Sequence, residues 1–455
     1  MVQTKRQTSG RRVDLVRAAA LQTILLIQQG VQTDYAVKTV IQGKNFRPLD
    51  IRFLQQLVNG TTKMRRRLDY EIKFHLARPS IELSTKLSNI LRLGFYQLLF
   101  TDRVPPAAAV SESVNLARHF ADESQSRLVN AVMRAKLREP EKVVYPDKSE
   151  SPQSFLANYY SYPDYFVQYC LDEFGVKDAE QLLMAYNQPP RVTYRVNFLK
   201  AKPDEVANIL QQNEVEFSFG KSLPEFIHIE EGGLPLDPEL IRTGKVYVQD
   251  ESAGLPVRLL NPKPGTDVVD LTAAPGGKAT YAAIRMRNKG RVTAVDKSRA
   301  RLKVLSDNAR RLGIKIISPV VSDLINFEGG PFDRVLLDPP CSGWGTARKL
   351  ADLRWSKTTE DIDNLVNIQT MMIDRASRLV KPGGVLVYST CTIMRRENDQ
   401  IVEEFLLRND EFEIDSAIQF FDASLVTERG FVKTYPNHVN LDGSFCARLK
   451  RKLNP

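Results

Sequence analysis

The chain has 455 residues, 42% hydrophobic and 26% charged, with a formal net charge of +10, which is the composition of a globular protein with a sizeable core. Its four cysteines form no CxxC pair and its four histidines are scattered, so the sequence predicts neither a disulfide framework nor a metal site. Cysteine usage of this kind is typical of a reducing compartment.

The first predicted domain, residues 1–145, is helical and carries the excess of positive charge. It holds 24 Lys and Arg against 12 Asp and Glu, so its net charge is +12. A basic domain on a near-neutral remainder favours a polyanionic partner, nucleic acid first, while a solvated basic face explains the charge equally well. Apolar residues at helical spacing predict helices that begin near Val13 and span 50–59, 81–100, 107–120 and 126–137.

The N-terminus does not have the pattern of a signal peptide. It carries Lys5, Arg6, Arg11 and Arg12, but the apolar stretch that follows, 13–27, is interrupted by polar residues and has the spacing of an amphipathic helix. The chain contains no run of about 18 uninterrupted apolar residues, so the sequence predicts no transmembrane helix. We therefore expect a cytoplasmic protein without membrane contact.

A polar stretch with two prolines, residues 143–152, predicts a linker to a second domain, residues 153–245. The pattern in this domain is mixed, and it predicts a small α/β domain that contacts RNA or serves as a connection. Its predicted helices span 155–187 and 204–213, and its predicted strands span 191–199 and 224–230.

From residue 246 to residue 455 short apolar runs alternate with helical segments. This rhythm predicts a parallel, doubly wound sheet of the Rossmann-like α/β class. The expected fold is thus an all-α domain, a small mixed α/β domain and a Rossmann-like domain. Helices are predicted over 298–312 and 359–379, and strands over 268–271, 292–295, 314–321, 335–337 and 385–388.

The turn after the first strand of this third domain predicts a nucleoside site. Its small residues let the backbone approach a ligand, at the sheet edge where open α/β folds bind ligands. Asp296 ends the next strand and could accept hydrogen bonds from ribose hydroxyls, while Asp323 ends the third strand candidate and could face an adenine amino group. The alternative is a loop shaped for packing, with Asp296 as a helix cap. The loop consists of Thr272, Ala273, Ala274, Pro275, Gly276, Gly277 and Lys278.

Cys341 and Cys391 follow the fourth and fifth predicted strands, so both are expected at the same edge as this loop. Either cysteine alone would more often be structural. Two thiols at one cleft suit chemistry at carbon 5 of cytosine, which attacks a methyl donor only after a thiolate has added to carbon 6. A second thiolate could then remove the carbon 5 proton, and a protonated Asp338 could stabilise charge at nitrogen 3. Both thiols would need a shift toward thiolate.

The motifs AAPGGK, DPPCSG and STCT, together with the acid at the second strand end, resemble the RNA cytosine-5 methyltransferases of the NOL1/NOP2/Sun family. The resemblance implies that Cys391 is the nucleophile, that Cys341 assists release and that S-adenosylmethionine is the cofactor. Enzymes that modify cytosine in DNA attack with the cysteine of the PC motif instead, so Cys391 favours RNA. The resemblance also implies a cofactor site lined by residues 272–278, Asp296, Asp323 and Asp338.

Further segments extend the resemblance over most of the chain. Residues 111–117 and 128–134 are similar to the NusB-like RNA-binding domain. This domain joined to the methyltransferase domain implies that the partner is 16S ribosomal RNA, free or in early assembly, and our default oligomeric state is a monomer. The segment 249–253, the pair Arg354-Trp355 and the pair Glu397-Asn398 also match segments of the family.

The sequence departs from the family's pattern at three places, and three other functions stay open. Thr272 stands where a cysteine is frequent, residues 349–351 replace Arg-Asn/His-Pro, and residues 443–445 replace Gly-Phe-Phe. The second departure puts fine substrate contacts in doubt. The open functions are the same chemistry on transfer RNA or 23S ribosomal RNA, RNA binding by a relic methyltransferase fold, and an oxidoreductase, which the missing GxGxxG motif disfavours.

Overall fold

In the computed structural model the chain forms two compact units. The helical unit contains Met1–Asn187 and Leu350–Ser356, and the sheet unit contains Gln188–Lys349 and Lys357–Pro455. In the part of the chain that the structure describes, no helix is both long and apolar enough to cross a bilayer. The described residues are 13–78, 80, 82–230 and 238–453, so the basic residues Lys5, Arg6, Arg11 and Arg12 lie outside them.

The helical unit is built by α1 (Leu15–Gln28), α2 (Thr33–Ile41), α3 (Pro48–Lys63), α4 (Arg65–His75), α5 (Thr85–Phe100), α6 (Pro106–Phe120), α7 (Glu123–Arg138), α8 (Pro152–Tyr160) and α9 (Asp164–Asn187). Side chains of Asp14, Ser84 and Asp122 cap α1, α5 and α7 by accepting a backbone N–H. Helix α5 packs against α3, α4, α6 and α7, and its Ile90 and Phe95 are fully buried. The all-α prediction for residues 1–145 is therefore confirmed, whereas α8 and α9, which were predicted within the mixed α/β domain, belong to the helical unit.

Helices α2 and α4 were not predicted from the sequence, and the structure gives a physical reason for α4. Its inner face includes a carboxylate, Glu71, which forms a buried ion pair of 2.8 Å with Lys136. A helix that buries a charge lacks the apolar period on which prediction depends. The predicted linker, residues 143–152, also differs from the prediction. Its Tyr145 stacks on Tyr70 and donates a hydrogen bond to Glu71. This stretch is therefore part of the helical unit.

The smaller sheet contains β1 (Val192–Val196), β2 (Phe217–Phe219), β3 (Phe226–Ile229) and β4 (Val246–Val248). The same part of the chain also forms the helices α10 (Pro203–Gln212) and α11 (Pro238–Arg242). The strand order is β2-β3-β1-β4, and all pairs are antiparallel. Val206 of α10 and Ile227 of β3 belong to its apolar core. Because β4 pairs with β1, the boundary predicted at residue 246 falls inside this small sheet.

The large sheet contains β5 (Asp267–Asp270), β6 (Arg291–Asp296), β7 (Ile317–Val321), β8 (Phe332–Leu337), β9 (Val380–Thr390), β10 (Phe412–Ile414), β11 (Val432–Thr434) and β12 (Ser444–Arg451). Its order is β10-β12-β9-β8-β5-β6-β7, with β11 on β12. Strands β5 to β9 pair in parallel and β12 runs antiparallel to β9, so the predicted Rossmann-like class is confirmed. The later helices are α12 (Leu255–Leu260), α13 (Gly277–Arg285), α14 (Arg299–Leu312), α15 (Leu353–Ser356), α16 (Thr359–Ser377), α17 (Asp399–Arg408) and α18 (Pro436–Val439).

Candidate active site

A cleft of about 490 Å³ opens at the carboxyl edge of the large sheet. Parallel strands end at the same edge, so the residues that follow them come together there. Of the residues predicted to line a cofactor site, the structure places these in the wall of the cleft: Thr272, Ala274, Asp296, Asp323 and Asp338.

The loop between β5 and α13 approaches its neighbours closely. Gly276 has φ +109, and a Cβ there would lie 2.9 Å from Leu305 Cγ, so the position requires glycine. The Thr272 hydroxyl donates to the Asp338 carbonyl at 2.8 Å and accepts from the Asp338 N–H at 3.2 Å. This threonine, one of the departures from the family pattern, therefore ties the loop after β5 to the loop after β8.

The two acids predicted to bind the nucleoside have different surroundings. Asp296 is buried, and its carboxylate accepts the N–H of Ser298 at 2.9 Å and the N–H of Ala274 at 3.3 Å. It thus shapes the loop as well as the cleft. Asp323 is exposed, and one of its oxygens accepts the N–H of Ile325 at 3.0 Å.

Asp338 lies in an ion pair. Lys278 Nζ donates to one of its oxygens at 2.6 Å, and the Ser389 hydroxyl donates to the other at 3.0 Å. Burial lowers the pKa of Lys278, but the Asp338 carboxylate outweighs burial and raises that pKa overall, so the amine keeps its proton. Both oxygens of Asp338 therefore accept hydrogen bonds, and Lys278 is the charged donor at this place, while the donor role given to Asp338 stays a prediction from the sequence.

Asp270 at the end of β5 adds a buried acid that the sequence analysis did not assign. Burial raises the pKa of Asp270 to about 7. Its Oδ1 accepts the Thr272 N–H at 3.3 Å, and its Oδ2 has no hydrogen-bond partner among the described residues. A buried oxygen in this state would gain from a donor or a cation nearby.

The two cysteines meet at the end of β8 and β9, with their sulfur atoms 3.4 Å apart. Cys391 is exposed and Cys341 is half-buried. The hydrogen bond to Cys391, followed by burial and nearby negative charge, raises the pKa of the Cys341 thiol well above its usual range. The expectation that both thiols shift toward thiolate is therefore wrong for Cys341, because the neighbouring sulfur and the carboxylates stabilise its protonated form.

A buried carboxylate holds the two cysteine loops together. Glu397 accepts the Ser342 N–H at 2.8 Å and the Gln369 side-chain amide at 3.0 Å. The Ser342 hydroxyl lies 2.8 Å from the Thr392 hydroxyl, next to the nucleophile candidate. Neither a role for Glu397 nor the presence of Gln369 at the site was predicted from the sequence. The sequence signal that could have identified Gln369 is its place on the buried face of an amphipathic helix, because a buried polar side chain needs a hydrogen-bond partner.

The second departure from the family pattern also has a structural role. Lys349 Nζ lies 2.7 Å from Asp250 and 2.6 Å from Asp442. The lysine is therefore held inside the sheet unit by two carboxylates. Near it, the Gly345 N–H donates to the Cys391 carbonyl at 3.0 Å, and a Cβ at Gly345 would lie 1.8 Å from the Gly443 oxygen. Only glycine permits this close approach.

Three family models match the chain. Residues 257–450 match the 16S rRNA methyltransferase RsmB/F model. Residues 15–138 match the NusB family, and residues 162–234 match the ferredoxin-like domain of RsmF/B-like methyltransferases. The matched regions follow one another along the chain and together include most of the described residues.

Similar proteins extend over nearly the whole chain. The probable ribosomal RNA small subunit methyltransferase B of Bacillus subtilis is 32% identical over 445 residues, covering 96% of this chain and 99% of the relative. The protein of the same description from Synechocystis is 34% identical, covering 92% of this chain and 95% of the relative. The crystal structure of PH0851 superposes with a TM-score of 0.76 at 26% identity, covering 97% of this chain and 100% of that one.

Proposed function

Because the chain belongs to the 16S rRNA methyltransferase RsmB/F family and is an S-adenosylmethionine-dependent ribosomal RNA methyltransferase, we propose that it methylates carbon 5 of a cytosine in 16S ribosomal RNA. The observation that carries this proposal is the 3.4 Å separation of the Cys341 and Cys391 sulfur atoms. Methylation of a ring nitrogen or a ribose hydroxyl needs no thiol, whereas methylation at carbon 5 needs a nucleophile for carbon 6 and a base for the carbon 5 proton.

Cys391 is the nucleophile in this proposal. Its sulfur is the more exposed of the two, and a target base that has left its stack can reach it. The thiolate forms a bond to carbon 6, and the electron pair of the carbon 5–carbon 6 double bond moves into the ring toward nitrogen 3. Lys278, protonated beside Asp338, is the donor that we assign to the developing negative charge. When bound, the cofactor supplies the methyl group that carbon 5 takes.

Cys341 is the base that completes the reaction. Its pKa is raised first of all by the hydrogen bond to Cys391. Once the Cys391 sulfur is bonded to carbon 6 it carries no charge, so this stabilisation of the Cys341 proton is lost. Cys341 then releases its proton to solvent, and its thiolate takes the proton from carbon 5. The electron pair returns to the ring and expels Cys391 from carbon 6, which restores the aromatic base.

The cleft fits the methyl donor, which carries a sulfonium and an amino group as well as ribose hydroxyls. Acids line the space, namely Asp296, Asp323 and Asp338. The side chains of Ile325 and Met371 are exposed at the rim, where an adenine ring could rest. We assign cofactor binding to residues 272–278, Asp296, Asp323 and Asp338.

We expect Asp296→Ala to weaken S-adenosylmethionine binding by roughly 1.5–3 kcal/mol, the typical value for a lost hydrogen bond to a charged group. The loop is affected too, because Asp296 accepts the Ala274 N–H. Calorimetric titration with S-adenosylmethionine measures the change. Asp307→Ala removes an exposed acid of α14 and serves as the control. Wild-type affinity in Asp296→Ala would contradict the assignment.

The partner in this proposal is 16S ribosomal RNA, free or in early assembly, bound by a monomer in the cytoplasm. The test is to incubate the enzyme with labelled S-adenosylmethionine and total ribosomal RNA, and to map the labelled base. We expect label on carbon 5 of one cytosine in 16S RNA. Label on 23S or transfer RNA would show another substrate with the same chemistry, and label on a nitrogen or a ribose would refute the role of the thiols.

A further inference from the structure

The pair Arg354-Trp355 belongs to a segment, Leu350–Ser356, that packs inside the helical unit. Arg354 is fully buried, its guanidinium lies 4.0 Å from the centre of the Tyr162 ring, and it donates to the Tyr186 carbonyl at 3.2 Å. The Trp355 indole N–H donates to the Thr62 carbonyl at 2.6 Å. Arg354 is therefore an anchor for the segment, and the indole of Trp355 is held in a fixed place.

Trp355 lines a cavity of about 530 Å³ in the helical unit, and the proposed methyl transfer gives this cavity no role. The volume is within the range of small-molecule and nucleotide sites, about 300–1,000 Å³. Its wall combines cationic, aromatic, amide and hydroxyl groups. Its lining residues include Thr61, Thr62, Arg65, Arg92, Asp352 and Trp355.

The two arginines of the cavity differ in their partners. Arg92 forms hydrogen bonds of 2.6 and 2.8 Å with the two oxygens of Asp69, so its charge is compensated. Arg65 has no ion pair or hydrogen bond to its guanidinium among the described residues, and it lies 5.4 Å from the centre of the Trp355 ring. Burial, followed by the charge of Arg92, lowers the pKa of Arg65, and the charge of Asp69 only partly opposes this, so Arg65 is a cation without a direct partner beside a second cation. An anion would stabilise this arrangement.

Two hydroxyl groups in the wall point to a ligand independently of the charges. The side chains of Thr61 and Thr62 are 1% and 7% exposed, and neither hydroxyl has a hydrogen-bond partner among the described residues. Buried hydroxyls are normally paired, because an unpaired one costs free energy. Both threonines line the cavity, so a polar ligand there could satisfy them.

We propose that this cavity binds one unpaired nucleotide of the ribosomal RNA substrate. Arg65 pairs with the phosphate, and the base stacks against Trp355, since aromatic rings and guanidinium planes are the usual platforms for unstacked bases. Asp352, which lines the cavity and has no ion pair in the described part of the chain, accepts from an amino group of the base. The identity of the RNA rests on the proposed function, while the nucleotide site rests on the cavity.

The test compares Arg65→Ala with Arg127→Ala, an equal loss of charge at an exposed position of α7 outside the cavity. Binding of full-length enzyme to a 16S transcript is measured at several salt concentrations. We expect Arg65→Ala to raise the Kd at least about fivefold more than Arg127→Ala, as for a lost phosphate and stacking contact. S-adenosylmethionine affinity and thermal unfolding should be unchanged, and Arg65→Lys should recover part of the binding.

Tryptophan fluorescence gives a second readout, which a merely structural role of Arg65 would not move. The chain has two tryptophans, and the other one, Trp344, is fully buried. We expect the transcript to quench Trp355 in the wild type and in Arg127→Ala, and to quench it much less in Arg65→Ala. Equal Kd and quenching in both variants would overturn the proposal. Quenching by free cytidine or adenosine monophosphate, with transcript binding unaffected in Arg65→Ala, would also overturn it, in favour of a site for free nucleotides. Neither readout requires methyl transfer. A failure of the proposed methylation chemistry would therefore be distinguishable from a failure of the nucleotide site.

Discussion

Cys391→Ala should bind RNA and S-adenosylmethionine but transfer no methyl group. Without the sulfur that adds to carbon 6, carbon 5 stays too weak a nucleophile, and loss of a catalytic nucleophile typically costs on the order of 10⁴- to 10⁶-fold in kcat. The measurement is transfer of labelled methyl to 16S RNA, together with electrophoresis under denaturing conditions. We expect neither product nor an enzyme–RNA adduct.

The control for this variant is Cys170→Ala, which removes a buried thiol of the helical unit and should leave transfer intact in the folded protein. Thermal unfolding of both variants shows whether the fold is kept. An adduct that persists in Cys391→Ala would assign the nucleophile to Cys341, as in the enzymes that act on DNA. Unchanged turnover would make both thiols structural.

Cys341→Ala should show the opposite signature and accumulate a methylated adduct. Cys391 can still add to carbon 6 and the methyl group can still move, but no base is in place for the carbon 5 proton. Loss of a positioned general base typically costs about 10²- to 10⁴-fold. Turnover should fall by that factor, while a covalent enzyme–RNA complex that carries the methyl label survives denaturing electrophoresis.

The double variant separates this explanation from a distortion of the cleft. If Cys341 acts only after Cys391, then Cys341→Ala/Cys391→Ala should form no adduct and behave as Cys391→Ala does. The hydrogen bonds of Ser342 to Glu397 and Thr392 hold the loop without the Cys341 sulfur, so we expect little change in cofactor affinity. A Cys341→Ala variant that turns over at the wild-type rate would refute its role as the base.

The sequence predicted the residue types of the candidate site because each follows a strand of a parallel sheet. Cys341 and Cys391 were expected at one edge, and the structure brings them to 3.4 Å because β8 and β9 are neighbours in the sheet. The distance between the two sulfur atoms could not be predicted from the sequence, because the order of strands depends on long-range pairing rather than on local pattern.

The sequence could not predict which groups keep their protons or which side chains form pairs. The Lys278–Asp338 pair joins the first turn of α13 to the loop after β8, and nothing in either motif shows that the amine reaches the carboxylate. The raised pKa of Cys341 likewise depends on a sulfur 50 residues away in the chain. In the helical unit, α4 escaped prediction because it buries the charge of Glu71. In each case the deciding interaction joins distant parts of the sequence.

The pairing of β9 has a consequence for the order in which the large sheet is completed during synthesis of the chain. The strand that leads to Cys391 lies between β8 and β12, and its register with β12 joins Thr390 to Phe445. Translation makes residues 272–278 and both cysteines before it makes Ser444–Arg451. A nascent chain can therefore contain both cysteines while one side of β9 still lacks its antiparallel partner. The strand that leads to Cys391 thus depends for one of its two pairings on a segment near the end of the chain.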